Sequence, residues 1–195
     1  MLLGGTSQAD YRFNFDIFTS NSSYHDSPDV DTYVVVSNGE EAIVDFTFYN
    51  ASTIDSSVAR IFFDDGSLLA IANIINGPGT LFSEGAPGSN NLPSGENIVF
   101  YADREFTIGA DPPPSQNGID NPPPLEWVKI RFNLIEGANL EGVMNELITG
   151  DLRVGIHIIS LPDGSSESAI MVPEPATLFL LAAGAVAAVL RKRNR

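Results

Sequence analysis

Apolar and polar residues alternate with a period of two in many segments of this chain, and this pattern constrains the fold more than any other. The clearest segments are 11–17, 44–48, 128–134 and 152–158. Because successive side chains of a strand point to opposite faces, the alternation predicts strands with one buried face. Further strand candidates are 32–36, 58–63, 68–75, 98–108 and 166–171. About nine strands divided by Gly, Pro, Asn and Asp predict an all-β fold, a single antiparallel β-sandwich of jelly-roll or immunoglobulin-like type.

One segment departs from this period. Leu140, Val143, Met144, Leu147 and Ile148 follow the spacing of a helix with one apolar face. Asn139 can cap its start and Gly150 can end it. We therefore expect one short helix, packed on an edge or end of the sandwich.

The charge of the chain excludes several classes of function. Its 195 residues include 10 Lys and Arg against 25 Asp and Glu, a net charge of −15. Nucleic-acid binding is excluded as a function, because affinity for phosphates comes from basic side chains. The chain has no Cys, so it has no disulfide, no thiolate metal site and no Cys nucleophile.

The C-terminal residues differ in composition from the rest. Val172, Pro173, Glu174 and Pro175 precede an apolar run at 176–190. The chain then ends in a basic tail that contains Arg191, Lys192, Arg193 and Arg195. As a helix the run would be about 22 Å long, against about 30 Å of bilayer hydrocarbon. The run has no polar face for a soluble helix, so it predicts a C-terminal transmembrane helix whose basic tail stays in the cytoplasm.

These C-terminal residues resemble the PEP-CTERM sorting signal of exopolysaccharide-producing Gram-negative bacteria. The resemblance covers 172–195 and implies an exosortase partner that recognises Pro173, Glu174 and Pro175. It also implies that the chain is held transiently in the inner membrane with its body outside the cytoplasm. Removal of the tail would then leave the body at the cell surface or in the extracellular matrix. Segments 46–50, 60–66, 150–157 and 164–168 resemble an ectodomain of PEP-CTERM proteins that has no assigned activity.

Export requires an N-terminal signal, and residues 1–9 lack a basic region and a long apolar core. Ser7, Gln8 and Ala9 fit the small-x-small pattern of a cleavage site. We interpret 1–9 as the remnant of a signal peptide, with a disordered terminus as the alternative. The domain prediction is then a β-sandwich at 10–171 followed by the sorting signal at 172–195.

A search for catalytic motifs finds no candidate. The histidines are His25 and His157, without a His-Glu-x-x-His motif, a Gly-x-Ser-x-Gly motif or a phosphate-binding loop. Acidic residues are so abundant that any glycosidase pair would be arbitrary. The sequence therefore predicts that the protein is not an enzyme. Trp127 is a candidate for stacking on a sugar, and the alternative is a core or edge aromatic residue.

Calcium is the best-motivated ligand, because hard oxygen donors suit Ca²⁺. Asp26, Asp29 and Asp31 share one loop, and Asp64 and Asp65 share a turn closed by Gly66. The alternatives are a solvated acidic loop and an ordinary hairpin turn. Two long Pro- and Gly-containing loops, 76–95 and 109–124, are either stiff surface connections or a binding rim.

Together these features predict a secreted, non-enzymatic protein of the cell envelope or exopolysaccharide matrix. Residues 1–172 hold 6 basic and 24 acidic residues, a net charge of −18 that keeps such a body soluble. The second hypothesis is a carbohydrate-binding module that takes exopolysaccharide as its partner. The third is a glycan-active enzyme.

Overall fold

The computed structural model describes residues 10–39, 42–64, 66–85, 91–102, 104–121 and 124–173. The strands are β1 (Asp10–Ile17), β2 (Thr32–Asn38), β3 (Ile43–Asn50), β4 (Ser57–Asp64), β5 (Leu68–Asn76), β6 (Phe82–Glu84), β7 (Thr107–Ala110), β8 (Ile119–Asp120), β9 (Trp127–Leu134), β10 (Arg153–Ile159) and β11 (Glu167–Val172). The helices are α1 (Pro114–Asn117) and α2 (Leu140–Thr149), with short 3₁₀ turns at Gly95–Ile98 and Arg104–Phe106.

The strands form one antiparallel sheet that nearly closes on itself. Their order is β5-β9-β3-β2-β1-β11-β10-β4-β7-β6, and β8 pairs with β4. The two outermost strands, β5 and β6, are consecutive in the chain. The Asn76 side chain joins them, because its Nδ2 donates to the Phe82 carbonyl (3.2 Å) and its Oδ1 accepts from the Phe82 N–H (2.7 Å). The mostly β, antiparallel character predicted from the sequence is confirmed.

The two halves of the sheet face each other across an aromatic core. Phe63 of β4 lies edge-on to the rings of Phe132 (4.7 Å between centroids), Phe46 (5.2 Å) and Phe48 (6.1 Å), which belong to β9 and β3. Pairs in this geometry contribute about 0.5–1.5 kcal/mol each beyond the burial of their area. Phe46, Phe48 and Phe132 come from the apolar phase of alternating segments, so in those segments the period of two does identify the inner face.

Helix α2 forms where the sequence predicts it. The Asn139 side chain accepts a hydrogen bond from the Gly142 N–H (3.0 Å) at its start. Gly150 ends the helix with φ of 82°, a left-handed conformation that glycine adopts without strain. Val143 and Leu147 are buried in the core. Glu146 Oε2 accepts from the N–H (2.9 Å) and the hydroxyl (2.8 Å) of Ser67, which fastens the helix to the turn between β4 and β5.

Residues 91–102, which we call the flap, correct one strand prediction. The sequence predicts a strand over 98–108, but only Thr107–Ala110 is a strand, and Val99 has φ of 54°. Instead, Leu92 and Phe100 are buried against Phe62 on the outer face of the sheet. Gly155 makes room for them, since a Cβ there would lie 2.7 Å from Leu92 Cδ2. Ile98 and Phe100 are thus explained by packing onto the sheet rather than by forming a strand, whereas Val99 is exposed.

Three further elements lie in segments predicted as loops: β6 within 76–95, and α1 and β8 within 109–124. Both strands are short, three and two residues. They add pairing to β7 and β4 respectively.

The sheet has two ends, which differ in what they carry. The exit end is the end at which β11 finishes at Val172; it holds the turn 66–67, the flap, residues 135–139 and α2. The far end holds the segments 18–31, 51–56, 77–81, 111–121 and 160–166. Within the described part of the chain no helix is long and apolar enough to cross a membrane. The predicted signal remnant at 1–9 and the predicted transmembrane helix at 176–190 lie outside the described residues.

Candidate functional site

An aromatic row crosses three strands on the outer face near the far end. Tyr33 of β2 pairs in register with Tyr49 of β3, and Tyr49 pairs with Trp127 of β9. Their neighbours Val34, Phe48 and Val128 point into the core, so strand alternation turns the three aromatic side chains outward. All three are half-buried. The sequence identifies Trp127 as a candidate but gives no reason to join it to the two tyrosines, because register is a property of the fold.

The ring faces in this row are not equally free. Tyr33 and Tyr49 stack on each other at 4.9 Å between centroids, and the Arg12 guanidinium lies 3.8 Å from the centre of the Tyr33 ring. Arg12 is itself 3.6 Å from the Asp31 carboxylate. Burial, with Tyr33 and Asp10 nearby, raises the pKa of the Tyr49 hydroxyl. Tyr33 therefore offers its edge and hydroxyl, rather than a ring face, to a ligand.

Trp127 is supported from one side by the end of β5. Gly77 donates its N–H to the Trp127 carbonyl (3.0 Å), and a Cβ at Gly77 would lie 2.7 Å from indole Cε2. The backbone thus approaches the indole more closely than any side-chain-bearing residue would allow. This contact holds the ring in one orientation.

The same outer face carries an ion-pair cluster. Asp45 of β3 accepts a two-point hydrogen bond from Arg131 of β9 (2.7 and 2.9 Å), and Lys129 Nζ lies 3.3 Å away. Burial alone would raise the pKa of Asp45, but the hydrogen bond from Arg131 and the charges of Lys129 and Arg131 outweigh it and lower the pKa. The carboxylate is therefore fully ionised at neutral pH and holds both cations beside the aromatic row.

The structure does not bring Asp26, Asp29 and Asp31 to one point. Asp26 lies 2.9 Å from His25 Nε2, Asp29 accepts from Thr53 Oγ1 (2.8 Å), and Asp31 faces Arg12. The carbonyl of Ser22 and the charge of Asp26 raise the pKa of His25. Among the described residues no three His, Asp or Glu side chains form a metal-ligand group.

Asp64 lies at the exit end and forms an ion pair with Arg153. It borders an open cleft of about 410 Å³ that Gly66, Gly150, Asp151 and Arg153 also line. The Arg153 guanidinium also donates to the carbonyls of Ile98 (3.1 Å) and Val99, so it fastens the flap. Asp65 lies outside the described residues. Calcium binding at these aspartates stays a prediction.

A polar network at the far end was not identified from the sequence. Asp163 accepts from the Ser22 hydroxyl (2.8 Å), the Ser23 N–H (3.0 Å) and the Ser165 N–H (3.1 Å). The hydrogen bonds from Ser165 and Ser23 hold the pKa of Asp163 well below its usual range. The fully buried Glu167 accepts from the Ser22 N–H (2.5 Å) and from Thr19. Residues 19–23 and 163–167 are about 140 positions apart, so a local sequence pattern cannot predict this network.

His157 lies on the outer face between Arg60 and Ser168, its register partners in β4 and β11. Its Nδ1 is 3.5 Å from Ser168 Oγ. Burial and the charge of Arg60 lower the pKa of His157, so the ring is neutral at neutral pH. This is a sheet-surface histidine in contact with its neighbours.

Asp120 and Glu126 form a carboxyl pair at the far end. Glu126 accepts the Asp120 N–H (2.8 Å), while Asp120 Oδ1 is buried without a hydrogen-bond partner among the described residues. Burial, aided by the charge of Asp120, raises the pKa of Glu126.

The comparisons with known proteins concern the C-terminus. Residues 172–194 match the PEP-CTERM protein-sorting motif, which confirms the predicted resemblance. No curated protein and no solved structure matches the chain. Val172 is the last residue of β11 and Pro173 follows it, while Glu174, Pro175 and the basic tail, Arg191, Lys192, Arg193 and Arg195, lie outside the described residues. The motif implies export, membrane-associated sorting and recognition by an exosortase.

Proposed function

We propose that this chain is a non-enzymatic protein of the cell envelope or exopolysaccharide matrix, anchored briefly in the inner membrane and then released or attached at the surface. The observation that carries the proposal is the sorting motif, which begins at the last residue of the last strand of a strongly acidic domain. The two carboxyl groups whose pKa values are lowered support a non-enzymatic role. Asp45 is held by Arg131 and Lys129, and Asp163 by serines, so their pKa values follow from structural contacts.

Terminal-peptide mass spectrometry of the protein from its host tests this proposal. We expect a chain that begins near Asp10 and ends close to Pro173, Glu174 and Pro175. Glu174→Ala should leave the apolar run attached and the protein in the membrane fraction, whereas the control Glu136→Ala, at an exposed site of the body, should be processed normally. An intact Arg195 in the wild-type protein would reject processing by a sorting enzyme.

The aromatic row supports a second candidate, carbohydrate binding. Trp127 and the tyrosine edges lie on an outer face that also presents Arg12, Lys129 and Arg131, half of the basic residues of the acidic body. Aromatic rings take up the apolar faces of sugars. Arg12, Lys129 and Arg131 are each paired with a carboxylate, so the rings rather than the cations support this candidate. The row lies near the far end, away from the sorting motif, so it would face outward while the chain is anchored.

Affinity electrophoresis through gels containing the exopolysaccharide of the host tests the second candidate. Retardation of the wild type should be lost in Trp127→Ala. The matched control is Tyr101→Ala, an exposed aromatic residue at the exit end, which should migrate like the wild type. Equal retardation of both variants, or no retardation of the wild type, would reject carbohydrate binding by the aromatic row.

A further inference from the structure

The exposed apolar side chains of the described residues are concentrated at the exit end. Leu69, Val99, Tyr101 and Ile135 lie there, and Leu81 and Leu125 lie at the far end. Ile135 donates its N–H to the Ser67 carbonyl (3.2 Å), so it sits beside the start of β5 and close to Leu69. Val99 and Tyr101 belong to the flap. Single exposed apolar residues are ordinary on a protein surface, but four of these six lie at the exit end, and we refer to the four together as the exit-end surface.

The flap holds two of these side chains in place. Arg153 binds the carbonyls of Ile98 and Val99, and the Tyr101 N–H donates to Asp64 Oδ2 (3.3 Å). Asn91 adds two more bonds, to the Phe100 carbonyl (2.9 Å) and from the Ala102 N–H (3.0 Å). Val99 is a β-branched residue in the left-handed region, which costs free energy unless the surroundings enforce it. The exposure of Val99 and Tyr101 is therefore fixed by the structure.

This surface lies next to the point where the chain leaves the domain. Gly155 pairs with Ile170, so the antiparallel register places Arg153 level with Val172. Val99, bound to Arg153, is thus close to the end of β11. Only Pro173, Glu174 and Pro175 separate Val172 from the apolar run that begins at Ala176. Four residues span at most about 14 Å even when fully extended.

We propose that, before processing, the exit end rests on the membrane surface, with Leu69, Val99, Tyr101 and Ile135 in the lipid headgroup layer. This inference depends on the proposed function only in that the apolar run is inserted in the bilayer. The headgroup region on each side of the hydrocarbon is about 5–7 Å thick. A tether of at most about 14 Å therefore keeps the exit end at this layer. Tyrosine is a residue that favours this interface.

The charge of the exit end predicts which lipid headgroups it contacts more strongly. Glu136, Glu141 and Asp151 are exposed at the exit end, and its Arg153 is already paired with Asp64. An acidic surface is repelled by anionic headgroups at low ionic strength. The contact should therefore be stronger on phosphatidylcholine than on vesicles enriched in phosphatidylglycerol, and added salt should reduce the difference.

The absence of cysteine makes a direct test possible. Full-length single-Cys variants Ile135→Cys, Tyr101→Cys, Leu125→Cys and Ala183→Cys are labelled with bimane. They are reconstituted in two sets of phosphatidylcholine vesicles, one with a nitroxide near the headgroups and one with a nitroxide on the acyl chains. Ile135 and Leu125 are matched, with exposed fractions of 45% and 42%, at opposite ends of the domain. We expect the headgroup nitroxide to quench bimane at 135 and 101, the acyl-chain nitroxide to quench it at 183, and neither to quench it at 125.

The outcomes separate this inference from the function on which it rests. Quenching at 183 with none at 135 and 101 would overturn the contact of the exit end with lipid. It would leave the membrane anchor of the proposed function supported. No quenching at 183 would show that the apolar run is not inserted in the bilayer. Both the membrane anchor and the contact of the exit end with lipid would then be rejected. A label at 135 that is shielded from aqueous iodide but not quenched by the lipid nitroxide would show that protein covers this end, which also overturns lipid contact.

Discussion

The exit end and the far end of this domain are held together by different forces. At the exit end, Leu92 and Phe100 of the flap cover the sheet, and Val143 and Leu147 of α2 enter the core. At the far end, Asp163 and buried polar side chains tie the connecting segments to one another. The end next to the sorting motif thus has apolar packing in addition to the hydrogen bonds of Arg153 and Glu146, whereas the segments at the end that would face the exterior are tied by hydrogen bonds.

This difference has a physical reason. Long connections need either a core of their own or satisfied polar groups, because their backbone would otherwise be buried without partners. The flap supplies a small apolar cluster, and the far-end segments supply side chains such as Asn50 that replace backbone pairing. Substitutions that remove one kind of interaction at a time therefore test whether the two ends differ in this way.

The largest expected effect is at the flap. Phe100 is fully buried, so Phe100→Ala should lower the free energy of unfolding by about 3–5 kcal/mol. The neighbouring Tyr101→Ala, at an exposed site, should change it by less than about 0.5 kcal/mol. Urea unfolding followed by Trp127 fluorescence measures both. Equal, small effects would mean that the flap does not depend on its apolar cluster.

At the far end, removal of one polar side chain should have a smaller effect. Asn50 is fully buried; its Nδ2 donates to the carbonyls of Ser56 (3.1 Å) and Ile119 (3.0 Å), and its Oδ1 accepts from the Ser52 N–H (3.1 Å). Asn50→Ala leaves these groups unsatisfied and should cost about 1–3 kcal/mol in urea unfolding. Asn145→Ala, on the exposed side of α2, is the control. A cost no greater than that of the control would contradict the importance of polar ties at this end.

The sequence was most informative where a structural feature depends on neighbouring residues. The alternating segments became strands with Phe46 and Phe132 inside, and Asn139 and Gly150 bounded a helix, because side-chain periodicity and capping are local. Val99 and Phe100 show the limit of such reasoning. Apolar character predicts burial of both, yet Val99 is exposed, and Phe100 packs onto a strand at Gly155, more than fifty residues away.

The candidate site depended on register and on distant partners, which local spacing does not reveal. Trp127 was identified alone, and its row with Tyr49 and Tyr33 arises from strand pairing. Asp64 is a calcium candidate because of its neighbour Asp65, yet it forms an ion pair with Arg153. Asp163 and Glu167 were missed because their partners lie near the start of the chain. The sorting motif, by contrast, is linear, and its residues could be read directly.

The pH dependence of unfolding tests the outer face between the two ends. Burial and the charge of Arg60 lower the pKa of His157 in the folded chain. The unfolded chain therefore binds a proton at His157 more readily than the folded chain does. The contribution of the neutral ring to the free energy of unfolding is therefore present above the unfolded pKa of about 6.5 and is lost as the pH falls below it. Over that range the free energy of unfolding decreases by at most about 1.4 kcal/mol per pH unit. His157→Gln should reduce the loss between pH 7.5 and 5 in urea unfolding. An unchanged slope would mean that His157 has no such role.

The smallest expected effect concerns Glu126 at the far end, and its sign is opposite. Burial and Asp120 raise the pKa of Glu126, so the protonated form stabilises the fold, and this stability is lost as the pH rises through the folded pKa. Glu126→Gln keeps an acceptor for the Asp120 N–H without the charge. It should raise the urea midpoint slightly at pH 7 and converge with the wild type in acid. A lower midpoint at pH 7 would show that the carboxylate stabilises this end, as the carboxylate of Asp45 does on the outer face.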